Sequence, residues 1–457
     1  WPIDHPAPLG RVHAVQRVAA VSAACLLVSK QDFDALKGMD AETFPEKFAD
    51  IDFCLKLTQA GHKIMWTPYA TLIHDTDNTT WGDKSDNNAL LAKWGKAMVT
   101  DPCHNPYIAL GSDTNQPEAE PAFMPDPITW HPVPNVYSMS SDKDGAGHYR
   151  VIQPIQHATE QGLIRGRYGL GYPVPMMMEK LDIDVVFSQR QLEDRQLENL
   201  ARFKKLLHCK IVMDFDDLLT NVPDKNIHKR TLLKDMKGRL RRVGELAHRF
   251  TVSTEPLARE FKQYHDDIRV VPNALLRSQW AHLSSQRGTS RKLRVGWAGG
   301  VSHQGDLELV RDVVKELAGE VEWVFMGMCL KELNPHIKEF HAGAPFNAYP
   351  EELAKLNLDL AIAPLELNPF NECKSHLRIL EYGILGVPVI ATNITPYQSG
   401  FPITLVKNKH QDWVRAIRDH INNVDETYKR GDALRQYILD NWMLDQHLEA
   451  WREAWEV

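Results

Sequence analysis

Cysteine is scarce in this sequence and never paired in spacing. Cys25, Cys54, Cys103, Cys209, Cys329 and Cys373 are scattered over 457 residues with no Cys-x-x-Cys. That excludes an obvious disulfide framework or zinc site and favours a reducing compartment. No run of about 18 apolar residues occurs, so no bilayer-spanning helix is expected. An excess of positive charge is missing too. The formal net charge is -7, whereas a domain held on nucleic acid by phosphate neutralisation is strongly basic, and no nucleic-acid partner is expected. There is no internal repeat at a fixed period and no low-complexity tract.

What is present is an ordinary globular composition, 43% hydrophobic and 25% charged, over a length that suggests roughly three domains. The sequence opens on Trp1, mid-pattern and without a polar leader. A fragment or processed chain is therefore expected, and the lack of a signal peptide carries no weight.

Residues 1–100 form a first unit, with an apolar run at 18–29, a helix predicted over 48–60 that ends at Gly61, and a strand at 64–66. Residues 101–134 are rich in Pro, Asn, Asp and Gly and read as a linker. Short β-rich runs then alternate with helical patterns in two consecutive blocks. The first spans 135–283, with runs at 182–188, 210–215, 250–254 and 268–273. The second spans 284–440, with "LRVGWAG", "VEWVFMG", "LDLAIAP", "VPVIATN" and "ITLV". Such alternation predicts an α/β chain with two doubly wound, parallel, Rossmann-like domains and a ligand cleft beside their strand C-termini. A C-terminal helix over 441–457 brings Trp442, Trp451 and Trp455 to core packing.

The stretch "NECKSHLRILEYGILGVPVIATN" (371–393) carries the densest chemistry. Helical spacing sets Lys374, Arg378 and Glu381 on one stripe beside an apolar face of Leu377, Leu380 and Ile384. By pattern alone this is a solvated helix face. Its place after "LDLAIAP", a buried-strand pattern, points its N-terminus at the cleft instead. Backbone N–H groups and Lys374 there suit a phosphate, and Glu381 suits a ribose diol.

These residues resemble the donor-binding signature of GT-B glycosyltransferases of family 4. The resemblance implies Glu381 as the ribose ligand and Lys374 as a diphosphate ligand, with Ser375 and Arg378 alongside. Where that family often has a second glutamate, eight positions before the first, this chain has Cys373 beside Glu372. "LRVGWAGGVSHQGDLELV" (293–310) resembles the opening strand and glycine loop of the nucleotide-binding half, with Gly299, Gly300 and His303 on the donor side. "DKDGAGHYRVIQPIQHATEQG" (142–162) resembles the first strand and loop of the other half. There Gly145, Gly147 and Arg150 form an acceptor or phosphate loop, and His148 is a catalytic candidate. Asp216 and Asp217, at the end of a strand, are candidates for orienting acceptor hydroxyls or acting as a base, with turn formation the bland alternative.

Residues 1–82 resemble the acceptor-side end of GT-A family 2 glycosyltransferases. Asp50 matches a catalytic base, with Ala49 where that family's other acid stands, and His74 matches a histidine that approaches a metal diphosphate. Mg or Mn is expected only for a complete GT-A domain, and no cofactor for the GT-B part. A metal-binding Asp-x-Asp half would lie upstream of Trp1. The basic run 225–243, with eight Lys or Arg against one acid, predicts an amphipathic helix for peripheral membrane contact.

Together the resemblances imply a retaining glycosyltransferase that moves a sugar from a nucleoside-diphosphate sugar to a glycan or lipid-linked acceptor. The expected setting is bacterial surface polysaccharide synthesis, O-antigen or capsule, in the cytoplasm or at the inner face of its membrane. A GT-B sugar-nucleotide epimerase and a non-catalytic glycan-binding or scaffolding module are the alternatives.

Overall fold

A computed structural model describes residues 13–72, 84–110, 116–120, 123–126 and 130–456. The described residues form two compact units. One takes in those up to His131 with Pro173–Ile183 and Arg202–His208; the other takes in Pro132–Tyr172, Asp184–Ala201 and the residues from Cys209 onward.

In the first unit β1 (Gln16–Arg17) and β2 (Met65–Trp66) pair antiparallel. Helix Ala49–Gln59 is stopped by Gly61, whose φ of +90° suits a residue without Cβ. It buries Phe53, Cys54 and Leu57 with Ile64 against Val18, Val21, Leu26 and Phe33. Asp52 is fully buried on this helix, ion-paired to Lys56 and Lys93, each at 2.6 Å, and it accepts a hydrogen bond from Trp94 Nε1 at 2.7 Å. The predicted helix and strand of this unit are both present.

The second unit holds two six-stranded sheets whose strand pairs are all parallel. The strands of its first lobe are β3 (Asn135–Met139), β4 (Arg165–Gly169), β5 (Val185–Gln189), β6 (Lys210–Phe215), β7 (Arg249–Val252) and β8 (Ile268–Val270). Those of its second lobe are β9 (Arg294–Gly299), β10 (Glu322–Gly327), β11 (Glu339–Ala342), β12 (Leu360–Ala363), β13 (Val389–Thr392) and β14 (Thr404–Val406). The orders are β4-β3-β5-β6-β7-β8 and β11-β10-β9-β12-β13-β14. Strand order therefore reverses beside β3 in one lobe and beside β9 in the other, and the C-terminal ends of those two strands are where a doubly wound sheet opens a crevice.

The interior strands other than β3 are those the sequence predicts. Two edge strands, β4 and β11, were not foreseen, because "RGRYG" and "EFHA" are only partly buried and carry no apolar run. The segment 142–162 contains no strand. The first strand lies upstream, and residues Gly145–Glu160 are helical, with a π-turn at His148–Ile152. The basic run is likewise not one helix. A short turn, Ile227–Thr231, is separated from helix Met236–Leu246 by Asp235 at φ +52°. Beyond helix Val424–Asn441 the chain packs back on the first lobe, where Leu448, Trp451 and Trp455 join Val136, Ile155 and Phe187 in one core. Trp451 and Trp455 stack with ring centroids 5.5 Å apart and meet Phe187 edge-on. No helix among the described residues is long and apolar enough to cross a membrane.

Candidate active site

At the two switch points lies a cleft of about 770 Å³. On the second lobe, β9 runs straight into Gly299 and Gly300, which line it. A Cβ on Gly299 would stand 2.6 Å from the Trp297 ring and 2.8 Å from Arg378 Nη1, so this backbone position is closed to larger residues. Gly327, at the end of β10 with φ +91°, packs as tightly, since a Cβ there would meet the Gly299 carbonyl oxygen at 2.4 Å.

Lys374, Ser375, Arg378 and Glu381 all reach this cleft, but not as one helical stripe. The helix begins at Leu377, with His376 at its N-cap, and Lys374 sits in the turn after the short helix Pro369–Glu372. That turn is held by the Lys374 N–H donating to Asn371 O at 3.2 Å and by Thr254 Oγ1 donating to Cys373 O at 2.7 Å. The charges also face inward, not outward. Lys374 Nζ lies over the Phe370 ring at 5.2 Å and appears in no ion pair among the described residues. Burial lowers its pKa, opposed by Asp217 and Asp306. The Arg378 guanidinium donates to Ala298 O and lies over the Trp297 ring at 5.6 Å. Ser375 Oγ accepts from Asn273 Nδ2 at 3.0 Å.

Glu381 is buried and accepts the hydroxyls of Tyr149 at 3.0 Å and Tyr349 at 3.1 Å; burial raises its pKa. His303 pairs through Nδ1 with Asp306 Oδ2 at 2.8 Å. Burial, then Lys374 and Arg378, push this imidazole down to about 3, so it is neutral at pH 7 and available as a hydrogen-bonding group rather than a cation. Cys373 is buried and off the cleft lining, with its thiol pushed up to about 12 by burial. The position of the family's second glutamate is thus not part of this cleft.

On the first lobe, Asp142 organises the loop after β3. Its carboxylate accepts the N–H groups of Gly147 at 2.9 Å and Asp144 at 3.0 Å, and Arg190 Nη2 at 2.8 Å. Gly147 has no room for a Cβ, which would lie 2.1 Å from Asp142 O, and Gly145 lines the cleft. Asp216 and Asp217 follow β6 and line the cleft. Asp216 pairs with Arg190 Nε at 3.3 Å. Burial, and next Asp216, raise the Asp217 pKa, with Lys374 and Arg190 opposing.

Three predicted residues of the second unit, Gly147, Arg150 and His148, do not line the cleft. Arg150 is fully buried. It donates to both Asp214 oxygens at 3.1 and 2.6 Å and to Asn273 Oδ1 at 3.1 Å, and its guanidinium lies 4.7 Å from the Trp451 ring centroid. The π-turn carries it under the sheet, so it is a structural cation and not a phosphate ligand. His148 stacks on Phe346 with centroids 4.1 Å apart and planes at 13°, and burial lowers its pKa. It is not among the groups lining the cleft, although its neighbour Tyr149 is.

Asp50 belongs to the first unit. It stands at the N-terminus of helix Ala49–Gln59 and accepts the Ala23 N–H at 3.0 Å. His74 lies outside the described residues. Among the described residues no group of three or more His, Cys, Asp or Glu side chains is arranged to hold a metal.

Sequence reasoning missed Arg190, Asn226, His228, Tyr149, Phe346 and Tyr349, all on the cleft. Arg190 alone had a signal, its place directly after a strand. Asn226 and His228 fall in the basic run, where charge drew attention away from the cleft. In that run Lys225 pairs with Glu308 and Glu366, Lys229 with Asp224, and Arg239 and Arg242 with Asp194. A second groove, of about 660 Å³, runs along β14 and contains none of the candidates. Its histidine, His420, is bonded through both ring nitrogens, to Thr404 at 3.0 Å and Thr427 at 2.9 Å.

Two solved structures share this architecture. A glycosyltransferase from Rickettsia africae ESF-5 has a TM-score of 0.52 at 14% identity, covering 71% of this chain and 98% of the other. Anabaena Alr3699/HepE in complex with UDP and glucose has a TM-score of 0.51 at 12% identity, covering 70% and 98%. The second unit has the GT-B fold. The doubly wound pair expected from strand alternation is therefore present. No protein-family model matches the chain. In sequence it is 32% identical over 119 residues to an uncharacterized protein, y4gI, of Sinorhizobium fredii (strain NBRC 101917 / NGR234), a match that takes in 24% of this chain. The chain spans 13% of the length of that relative.

Proposed function

We propose that this chain is a glycosyltransferase that binds a nucleoside-diphosphate sugar on the second lobe and a glycan or lipid-linked acceptor on the first. The observation that carries this reading is the convergence of Lys374, Arg378, Glu381 and the Gly299–Gly300 backbone on one cleft at the end of β9. A cation without a carboxylate partner beside an open backbone loop suits a diphosphate, and a buried carboxylate one turn away suits a ribose diol. The likeness in fold to a protein solved with UDP and glucose agrees with it.

In this reading Lys374, Arg378 and the loop neutralise the departing diphosphate. Neutral His303, its one N–H held by Asp306, presents Nε2 as a hydrogen-bond acceptor, and Asp216 or Asp217 orients the acceptor hydroxyl. Retention of configuration, a place near family 4 and a role in surface polysaccharide synthesis rest on the sequence resemblance. So does the reading of the first unit as a GT-A remnant with Asp50 as base, while the domain limits 135–283 and 284–440 rest on the linker composition and strand alternation. Membrane contact through 225–243 would rest on Arg230, Lys234, Lys237 and Arg241, which are exposed and unlike the other four basic residues form no ion pair among the described residues.

The test is a thermal-shift screen of UDP, GDP, dTDP and CMP, followed by hydrolysis of the matching sugar nucleotides. Stabilisation by one nucleotide and slow release of its sugar are expected. No shift with any of the four, together with binding of an oligosaccharide, would favour the glycan-binding module.

A further inference from the structure

His148 and Tyr149 come from the first lobe, yet both end on the second. The Tyr149 hydroxyl donates to Glu381 Oε1 at 3.0 Å. The His148 ring lies flat on Phe346, 4.1 Å between centroids, while the Tyr149 ring meets the same Phe346 edge-on at 5.2 Å. The two residues are consecutive at the start of the π-turn His148–Ile152, a distortion that re-aims side chains within a helix. The next residue, Arg150, goes the opposite way, to Asp214.

The chemistry of this pair matches that of a nucleoside. A hydroxyl on the Glu381 carboxylate is the contact a ribose hydroxyl would make, and a flat heteroaromatic ring stacked on Phe346 is the contact a nucleobase would make. Tyr349 differs from Tyr149 in origin. It belongs to helix Tyr349–Lys355 of the second lobe, so its bond to Glu381 Oε2 at 3.1 Å is independent of the first lobe.

Resting on the donor-site reading above, we propose that His148 and Tyr149 form a self-contact across the cleft that competes with the nucleoside for Phe346 and Glu381. Tyr349 instead holds the carboxylate in place for the ligand. Donor binding then exchanges a contact between the lobes for one to the nucleotide, and the nucleoside itself is what loosens the first lobe from the second.

Two isosteric substitutions on one carboxylate should therefore have opposite signs. By calorimetry, Tyr149→Phe is expected to bind UDP or GDP about 3- to 10-fold more tightly than the native protein, and Tyr349→Phe more weakly by a similar factor, as fits one hydrogen bond gained or lost. Inorganic pyrophosphate has neither ribose nor base, and it should bind all three proteins equally. Unchanged or weaker nucleotide binding by Tyr149→Phe would overturn the self-contact while leaving the donor site standing. An equal gain for pyrophosphate would overturn it as well. Failure of all three proteins to bind UDP, GDP, dTDP or CMP would overturn the donor site, and this proposal with it.

Discussion

Arg150, fully buried, and Lys374, partly buried at the cleft, are both cations beside parallel sheets, and they keep opposite company. Arg150 has both oxygens of Asp214, the carbonyl of Val271 and Asn273 Oδ1 around it, with Trp451 beneath. Lys374 has the face of Phe370 and an open cleft. A buried charge costs several kcal/mol unless it is paired, so the first arrangement is that of a residue whose work is finished when the chain folds. The second has Asp217 and Asp306 near enough to oppose the lowering of its pKa but no carboxylate in ion-pair contact among the described residues, which fits the proposed role of binding an anionic ligand.

Substitutions should separate the two. The largest effect is expected from Arg150→Met, which strands Asp214 without its partner and should cost about 3 to 5 kcal/mol in urea unfolding, while the folded fraction keeps its nucleotide affinity. Lys374→Ala should leave the urea midpoint unchanged and lower donor turnover about 100-fold in steady-state assays, the scale for removing one group that stabilises developing charge. If the two variants exchanged phenotypes, the contrast between them would be wrong.

His376, at the head of the donor-site helix, extends the comparison to pH. It is buried, its Nε2 has no hydrogen-bond partner among the described residues, and burial, then His447, hold its pKa down at about 3. Its folded value lies below the ordinary 6.5, so the stability it contributes is fully present above pH 6.5 and is lost as pH falls from there toward 3. Between pH 6.5 and 5 that amounts to about 2 kcal/mol in unfolding free energy, and His376→Phe should flatten the profile by that amount. The smallest effect is expected at the surface. Lys30 pairs with Asp34 at 3.5 Å with both side chains exposed, and Lys30→Ala should leave the urea midpoint unchanged.

The doubly wound fold and one side of the cleft were legible in the sequence, and the contrast between these two cations was not. Interior strands such as "LAIA" and "VIAT" are buried on both faces and read as apolar runs. The edge strands β4 and β11 are half exposed and do not. The second-lobe side of the cleft was legible because Gly299, Lys374 and Glu381 belong to two local segments, each a strand leading into a loop or turn. Arg150 was misplaced because its partner Asp214 is 64 residues away, and nothing local marks it as paired. Tyr149, Phe346 and Tyr349 were invisible for the same reason. Their meaning depends on Glu381 and His148, which the fold brings to them from distant segments. The predicted helical stripe held for Arg378 and Glu381 and failed for Lys374, because the helix starts three residues later than the spacing suggested.

In the proposed function Lys374 is the cation that receives the diphosphate. Calorimetric titration of the native protein and Lys374→Ala with UDP and GDP tests it most directly. Binding of one nucleotide by the native protein, weakened at least tenfold in the variant with its melting temperature unchanged, is the predicted result. Equal binding by both proteins, or no binding by either, would contradict it.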